Sequence, residues 1–145
     1  ALSQAQKLGY AEREPSMDID GFDTSCKTVI LANWILNQKV TLKDVDRTGI
    51  RYVTLQDLDE AAKRGNTIKL IGSVDDKSKP TVKPMEVPKT SPMCVSGVLN
   101  AVTYQCEFAA EQTIIGRGAG SIETAGAVLR DLLDIRHKLA SRLLT

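Results

Sequence analysis

Apolar residues crowd nearly every side of the segment "TVILANWIL", which predicts a buried helix over residues 21–38 rather than a strand, with Trp34 in the core and Asp23 or Thr24 able to cap it. Helical spacing also marks residues 1–8, stopped by Gly9, and residues 54–64, stopped by Gly65. Before the second of these, "TLKDV" predicts a short helical turn and "GIRYV" a short extended piece. The period then changes. Residues 67–74 read as a strand, "DDKSKP" turns the chain, and "TVKPMEV" forms the next strand, with Pro84 marking an edge or a bulge. Residues 96–109 and 113–115 supply further strands around the turn "AAEQ". From residue 121 or 122 to residue 144, the spacing of Ala125, Val128, Leu129, Leu132, Leu133 and Ile135 returns to helix. Runs of strands flanked by helices predict an α+β fold: an open, mixed, largely antiparallel sheet with helices packed on one face.

Composition narrows the classes of partner. At 145 residues and 42% hydrophobic, the chain is long enough for one domain with a sizeable core, so residues 1–145 are expected to form a single domain. Nineteen basic and eighteen acidic residues leave a net charge of +1, without the polyelectrolyte field that draws proteins to nucleic acid or anionic membranes. No signal peptide or membrane-spanning apolar run is evident, which predicts a soluble, cytoplasmic protein. Cys26, Cys94 and Cys106 lack paired spacing and sit among apolar or small residues, so they are expected as buried thiols rather than metal ligands or a disulfide. His137, among basic residues, is expected as a solvated surface group. The chain opens without an initiator Met and already in helical spacing, as a piece of a longer protein would.

Two stretches concentrate candidate chemistry. "GYAEREPSMDIDGFDTSCK" places five carboxylates and two cations in nineteen residues ahead of the oily helix. Asp23 and Lys27 lie four apart and share one helical face, where an exposed ion pair contributes about 0.3–0.5 kcal/mol. That pair leaves Glu12, Glu14, Asp18 and Asp20 crowded in a loop, and their repulsion needs solvent or a ligand's cation to offset it; a small zwitterion would match. Calcium is a competitor, although "DIDGFD" lacks the full loop and closing Glu of an EF-hand. The second stretch, "IIGRGAGSIETAGAVLRDL", runs glycines from a strand into a helix. Its free N–H groups at a positive helix end could hold an anion, or the glycines could serve only tight turning and close packing. A dinucleotide fingerprint would need a further strand and an acidic residue.

Taken together and in order, these stretches resemble a known family. "AQKLGYAEREPSMDIDGFDTSCKTVILAN" resembles the substrate-binding segment of homoserine dehydrogenases, and "VSGVLNAV" with "GRGAGSIETAGAVLRDL" resembles that family's closing strands, glycine turn and last helix. "GIRYVTLQDLDEAAKRGNTIKLIG" lies between them, so the resemblance covers nearly the whole chain. It departs at Arg13, where the family often has proline, and at Met17, where it often has a second aspartate. The resemblance implies NAD- or NADP-dependent interconversion of L-homoserine and L-aspartate 4-semialdehyde, in the biosynthesis of threonine, methionine and isoleucine. It implies that Lys27 is the catalytic lysine and Asp23 an acid beside it and the substrate. Glu12, Asp18, Asp23 and Tyr10 would bind the substrate, and Gly9, Gly118 and Gly120 would lie beside the nicotinamide half of the cofactor. The family's substrate domain is an α+β sheet that pairs with its copy, so a homodimer is implied. The family's nucleotide-binding domain is absent from these residues, so the chain alone is expected not to turn over substrate. A non-catalytic dimerisation or regulatory module that keeps the fold is the alternative.

Overall fold

A computed structural model describes residues 4, 6, 14–118 and 120–142. They divide into two compact units, residues 1–89 and 90–145. Of the helix expected over residues 1–8, Gln4 and Gln6 are described and both are helical; the remainder lies outside the described residues.

The first unit runs α1 (Ser16–Ile19), α2 (Phe22–Ile35), a 3-10 turn (Leu42–Asp44), β1 (Asp46–Arg47), α3 (Leu55–Lys63), β2 (Asn66–Ser73) and β3 (Thr81–Pro88). Its sheet has the order β1-β3-β2. β2 and β3 are antiparallel from Asn66↔Pro88 to Ser73↔Thr81, whereas β1 runs parallel to β3 for two residues only. The hairpin turn is fixed by Asp75, whose carboxylate accepts from the N–H groups of Lys77 and Ser78 and from the Ser78 hydroxyl, each at 2.7 Å. Thr48 donates its N–H to the Val82 carbonyl at 2.7 Å. Pro84 has the same parity as Val82, so its missing N–H faces the side left open where β1 ends, as an edge proline should.

Both longer helices cover one face of this sheet. On that face β2 presents Ile68, Leu70 and Gly72, opposite Glu86, Pro84 and Val82 of β3. α2 approaches through Ser25, Thr28 and Ala32, all buried and all small. Gly72 makes the approach possible, because a Cβ there would stand 2.1 Å from Thr28 Oγ1. The two buried hydroxyls are satisfied within the helix: Ser25 Oγ donates to the Gly21 carbonyl at 2.7 Å and Thr28 Oγ1 to the Thr24 carbonyl at 2.8 Å. α3 begins with a capping box between Thr54 and Asp57 and anchors its far end through the Arg64–Glu86 ion pair. Gly65, at φ 77°, then turns the chain into β2.

The second unit is a hairpin, β4 (Leu99–Cys106) and β5 (Ala110–Arg117), followed by α4 (Ser121–Arg142). It pairs Leu99↔Arg117 through Cys106↔Ala110. The α+β class and the predominance of antiparallel pairing are as expected, with the strands shared between a three-stranded and a two-stranded sheet.

Several expectations are corrected. α2 buries a narrow stripe of small residues rather than its whole circumference; Trp34 is 85% exposed, and Ile30 and Ile35 are exposed too. Its N-cap is Gly21 in the left-handed region, without a side-chain cap, because the chain reverses sharply between α1 and α2 and Asp23 is engaged elsewhere. "GIRYV" is a turn, closed by Val53 N–H donating to the Ile50 carbonyl at 3.1 Å, and the extended piece is β1 just before it. β4 starts three residues later than expected, after a turn at Gly97 (φ 62°), and β5 starts three residues earlier. The second hairpin therefore turns at residues 107–109, with Ala110 left-handed and Gln112 Nε2 donating to the Ala109 carbonyl at 2.8 Å. The cysteines are free but not buried: Cys26 and Cys94 are half-buried and Cys106 is exposed. His137 is exposed, as expected. No helix among the described residues is long and apolar enough to cross a membrane.

Candidate active site

Among the described residues, the acidic stretch separates into carboxylates with partners and one without. Glu14 accepts from the Ser16 N–H at 3.3 Å, at the start of α1. Asp20 closes α1 and receives a two-pronged contact from Arg51, Nε to Oδ1 at 3.0 Å and a terminal nitrogen to Oδ2 at 2.9 Å. Hydrogen bonding from Arg51 holds the Asp20 carboxyl below the usual carboxylate range. Asp23 pairs with Lys27 at 2.9 Å, one turn along α2. Asp18 is exposed, and its carboxylate makes no hydrogen bond or ion pair among the described residues.

The phase of α2 decides where this chemistry points. At about 3.6 residues per turn, Ser25, Thr28 and Ala32 face the sheet, while Asp23, Lys27, Ile30 and Trp34 share the opposite side. The Lys27 and Asp23 side chains are 53% and 49% exposed, open to a ligand approaching that side. The expected catalytic residues are thus joined to each other and presented outward, on a helix whose inner face is locked against Gly72.

The start of α2 is held from outside its own sequence. Ile50 donates its N–H to the Ile19 carbonyl at 2.8 Å, Arg51 grips Asp20, and Arg47 stacks over the Phe22 ring at 3.5 Å. Gly49 lies so close that a Cβ would stand 2.3 Å from the Ile19 carbonyl oxygen and 2.6 Å from Asp20 Cα. Sequence reasoning missed Arg51 and Gly49. The only local sign of Arg51 was an excess of negative charge around Asp20.

Gly118 and Gly120 belong to the second unit. Gly118 donates its N–H to the Val98 carbonyl at 3.0 Å, and a Cβ there would stand 1.8 Å from the Asn100 amide nitrogen. Gly120 has φ 132°, and its carbonyl accepts from the Thr124 N–H at 3.0 Å and hydroxyl at 2.9 Å. Arg117 and Glu123 form an ion pair across the turn. Gly9, Tyr10 and Glu12 lie outside the described residues. Among the described residues no three His, Cys, Asp or Glu side chains are grouped to hold a metal ion.

The sequence pattern of the family described as homoserine dehydrogenase matches residues 1–133. The chain belongs to the homoserine dehydrogenase family. It is 49% identical over 135 residues to homoserine dehydrogenase of Methanocaldococcus jannaschii, covering 93% of this chain and 40% of that one. The NAD(+)-dependent homoserine dehydrogenase of Pseudomonas canavaninivorans is 40% identical over 147 residues, 98% of this chain and 42% of the relative. The crystal structure of S. aureus homoserine dehydrogenase at pH 6.0 superposes with a TM-score of 0.84 at 35% identity, over 96% of this chain and 36% of that one. The chain thus spans about two fifths of the length of the curated relatives it matches. The homoserine dehydrogenase match includes both α2, with Asp23 and Lys27, and the turn containing Gly118 and Gly120.

Proposed function

We propose that residues 1–145 are the substrate-binding and dimerisation domain of a homoserine dehydrogenase, which interconverts L-homoserine and L-aspartate 4-semialdehyde with NAD or NADP. The observation that carries this reading is the Asp23–Lys27 pair on the outward side of α2, inside the family-matched segment and a few residues beyond Asp18, whose carboxylate has no partner among the described residues.

In the reductive direction the aldehyde carbon gains a hydride and its oxygen gains a proton. Lys27 carries an ammonium that donates a hydrogen bond to that oxygen, and the bond strengthens as negative charge builds in the transition state. Asp23 holds the Lys27 ammonium in place. Asp18, with Glu12 and Tyr10, receives the substrate's own α-ammonium, the cation missing from the acidic stretch. The nicotinamide cofactor, when bound, supplies or accepts the hydride. The second unit suits its flat, amide-bearing ring, since Gly118 presents bare backbone next to the exposed Asn100 amide and Gly120 does so beside Glu123. These residues would meet only the nicotinamide end, so the remainder of the cofactor requires a nucleotide-binding domain.

Among the described residues β2 pairs with β3 on one side only, and its other edge carries backbone groups that a sheet normally covers or pairs. This supports a homodimer formed through the sheet domain. The test is oxidation of L-homoserine by the complete enzyme with each nicotinamide cofactor, alongside light scattering at micromolar concentration. Homoserine-dependent cofactor reduction by a dimer is expected. A complete enzyme that leaves homoserine untouched overturns the reaction, and a monomer overturns the assembly.

A further inference from the structure

We propose that Arg51 is a positioning residue for substrate: through Asp20 it sets the short helix α1 that presents Asp18 to the substrate ammonium, and it leaves Asp18 as the one carboxylate of residues 18–23 without a side-chain partner among the described residues. The inference rests on the homoserine reading above. Asp18, Asp20 and Asp23 put three carboxylates within six residues, and one ammonium needs one of them in a defined place. Asp23 is engaged by Lys27. Were Asp20 free, it would sit two residues from Asp18 as a competing anion on the same short turn.

Three consecutive residues remove that ambiguity. Gly49 touches the backbone of Ile19 and Asp20, Ile50 bonds the Ile19 carbonyl, and Arg51 places its fork on both oxygens of Asp20. A planar guanidinium meeting a carboxylate with two bonds fixes orientation as well as distance, which a lysine's single ammonium does not. Because β1 and the segment after it are bound to β3 through Thr48 and Val82, the fork ties the end of α1 to the sheet. The Arg51 and Asp20 side chains are 54% and 34% exposed, and such a pair contributes little to global stability. Its effect belongs in substrate affinity.

The experiment compares Arg51→Met, Asp20→Asn, the double variant and Arg51→Lys with wild type in the complete enzyme, measuring kcat, KM for L-homoserine and melting temperature. Each single loss is expected to raise KM about tenfold with kcat within about threefold and melting temperature within about 2 °C. The double variant should be no worse than the weaker single, because both singles break the same contact. Arg51→Lys should recover less than half of the loss on a logarithmic scale. KM within twofold of wild type in Arg51→Met overturns the assignment, and so does a rise in KM that comes only with a lowered melting temperature. Full recovery by Arg51→Lys also overturns it, since charge alone would then suffice. A wild-type enzyme inactive on homoserine overturns the underlying reaction instead.

Discussion

Replacing Gly49 by alanine puts a methyl carbon 2.3 Å from the Ile19 carbonyl oxygen and 2.6 Å from Asp20 Cα, where ordinary contact begins at 3.4 Å. Both neighbours are backbone, so no rotamer change relieves the clash. The two segments must separate by about 1 Å, the difference between those distances. That displacement stretches the Ile50 N–H bond to the Ile19 carbonyl, now 2.8 Å, past the hydrogen-bonding range. Overpacking costs about 1–3 kcal/mol, and the lost backbone bond about 0.5–1.5 kcal/mol. Taking about 1.5 kcal/mol as the least total, the Ile50 amide should exchange with solvent at least about 10-fold faster. Hydrogen exchange on the complete enzyme reads this directly. Gly126→Ala is the control, because nothing lies within 4 Å of a Cβ at that position in α4. Ile50 protection within about threefold of wild type in Gly49→Ala would refute the claim that this glycine is required by close approach.

The clamp should also titrate. Asp20 is held below its ordinary value chiefly by the Arg51 hydrogen bond, so its contribution is present above the unfolded carboxyl value, about 3.9, and is lost as pH falls through the lower folded value. Ile50 amide protection should therefore hold from pH 7 to about pH 4 and weaken only below that; loss already at pH 6 would contradict the assignment. In the second unit, Gly118→Ala brings a Cβ against the Asn100 amide. It should raise KM for the nicotinamide cofactor about fivefold or more while KM for homoserine moves less than twofold; the reverse pattern would remove Gly118 from the cofactor site.

What the sequence revealed follows from the range of the interactions. α3, β2, β3 and α4 announce themselves through periodicity, capping residues and stop glycines, all within a few positions of each other. The Asp23–Lys27 pair is equally local, four residues apart on one helix, and it forms as spaced. Trp34 misled because an apolar circumference does not say which side finds a partner within these residues, and small residues, not large ones, fit against Gly72. The second hairpin misled because a left-handed alanine sits at a position where glycine or asparagine would have signalled the turn. Arg51 was out of reach of local reasoning altogether, since it meets Asp20 across 31 positions and no pattern in either segment names the other. The excess of carboxylates was the legible half of that contact.

The most direct test of the account is Lys27→Met in the complete enzyme, which keeps most of the unbranched stem of the side chain and removes its ammonium. Because the ammonium is exposed on the outward side of α2 and, among the described residues, pairs with Asp23 alone, folding should survive. The ammonium's interaction with the reacting oxygen grows toward the transition state, so kcat should fall by about 10²–10³-fold or more with little change in KM for homoserine. Turnover within about threefold of wild type, with melting temperature unchanged, would contradict the central claim that Lys27 touches the reacting oxygen.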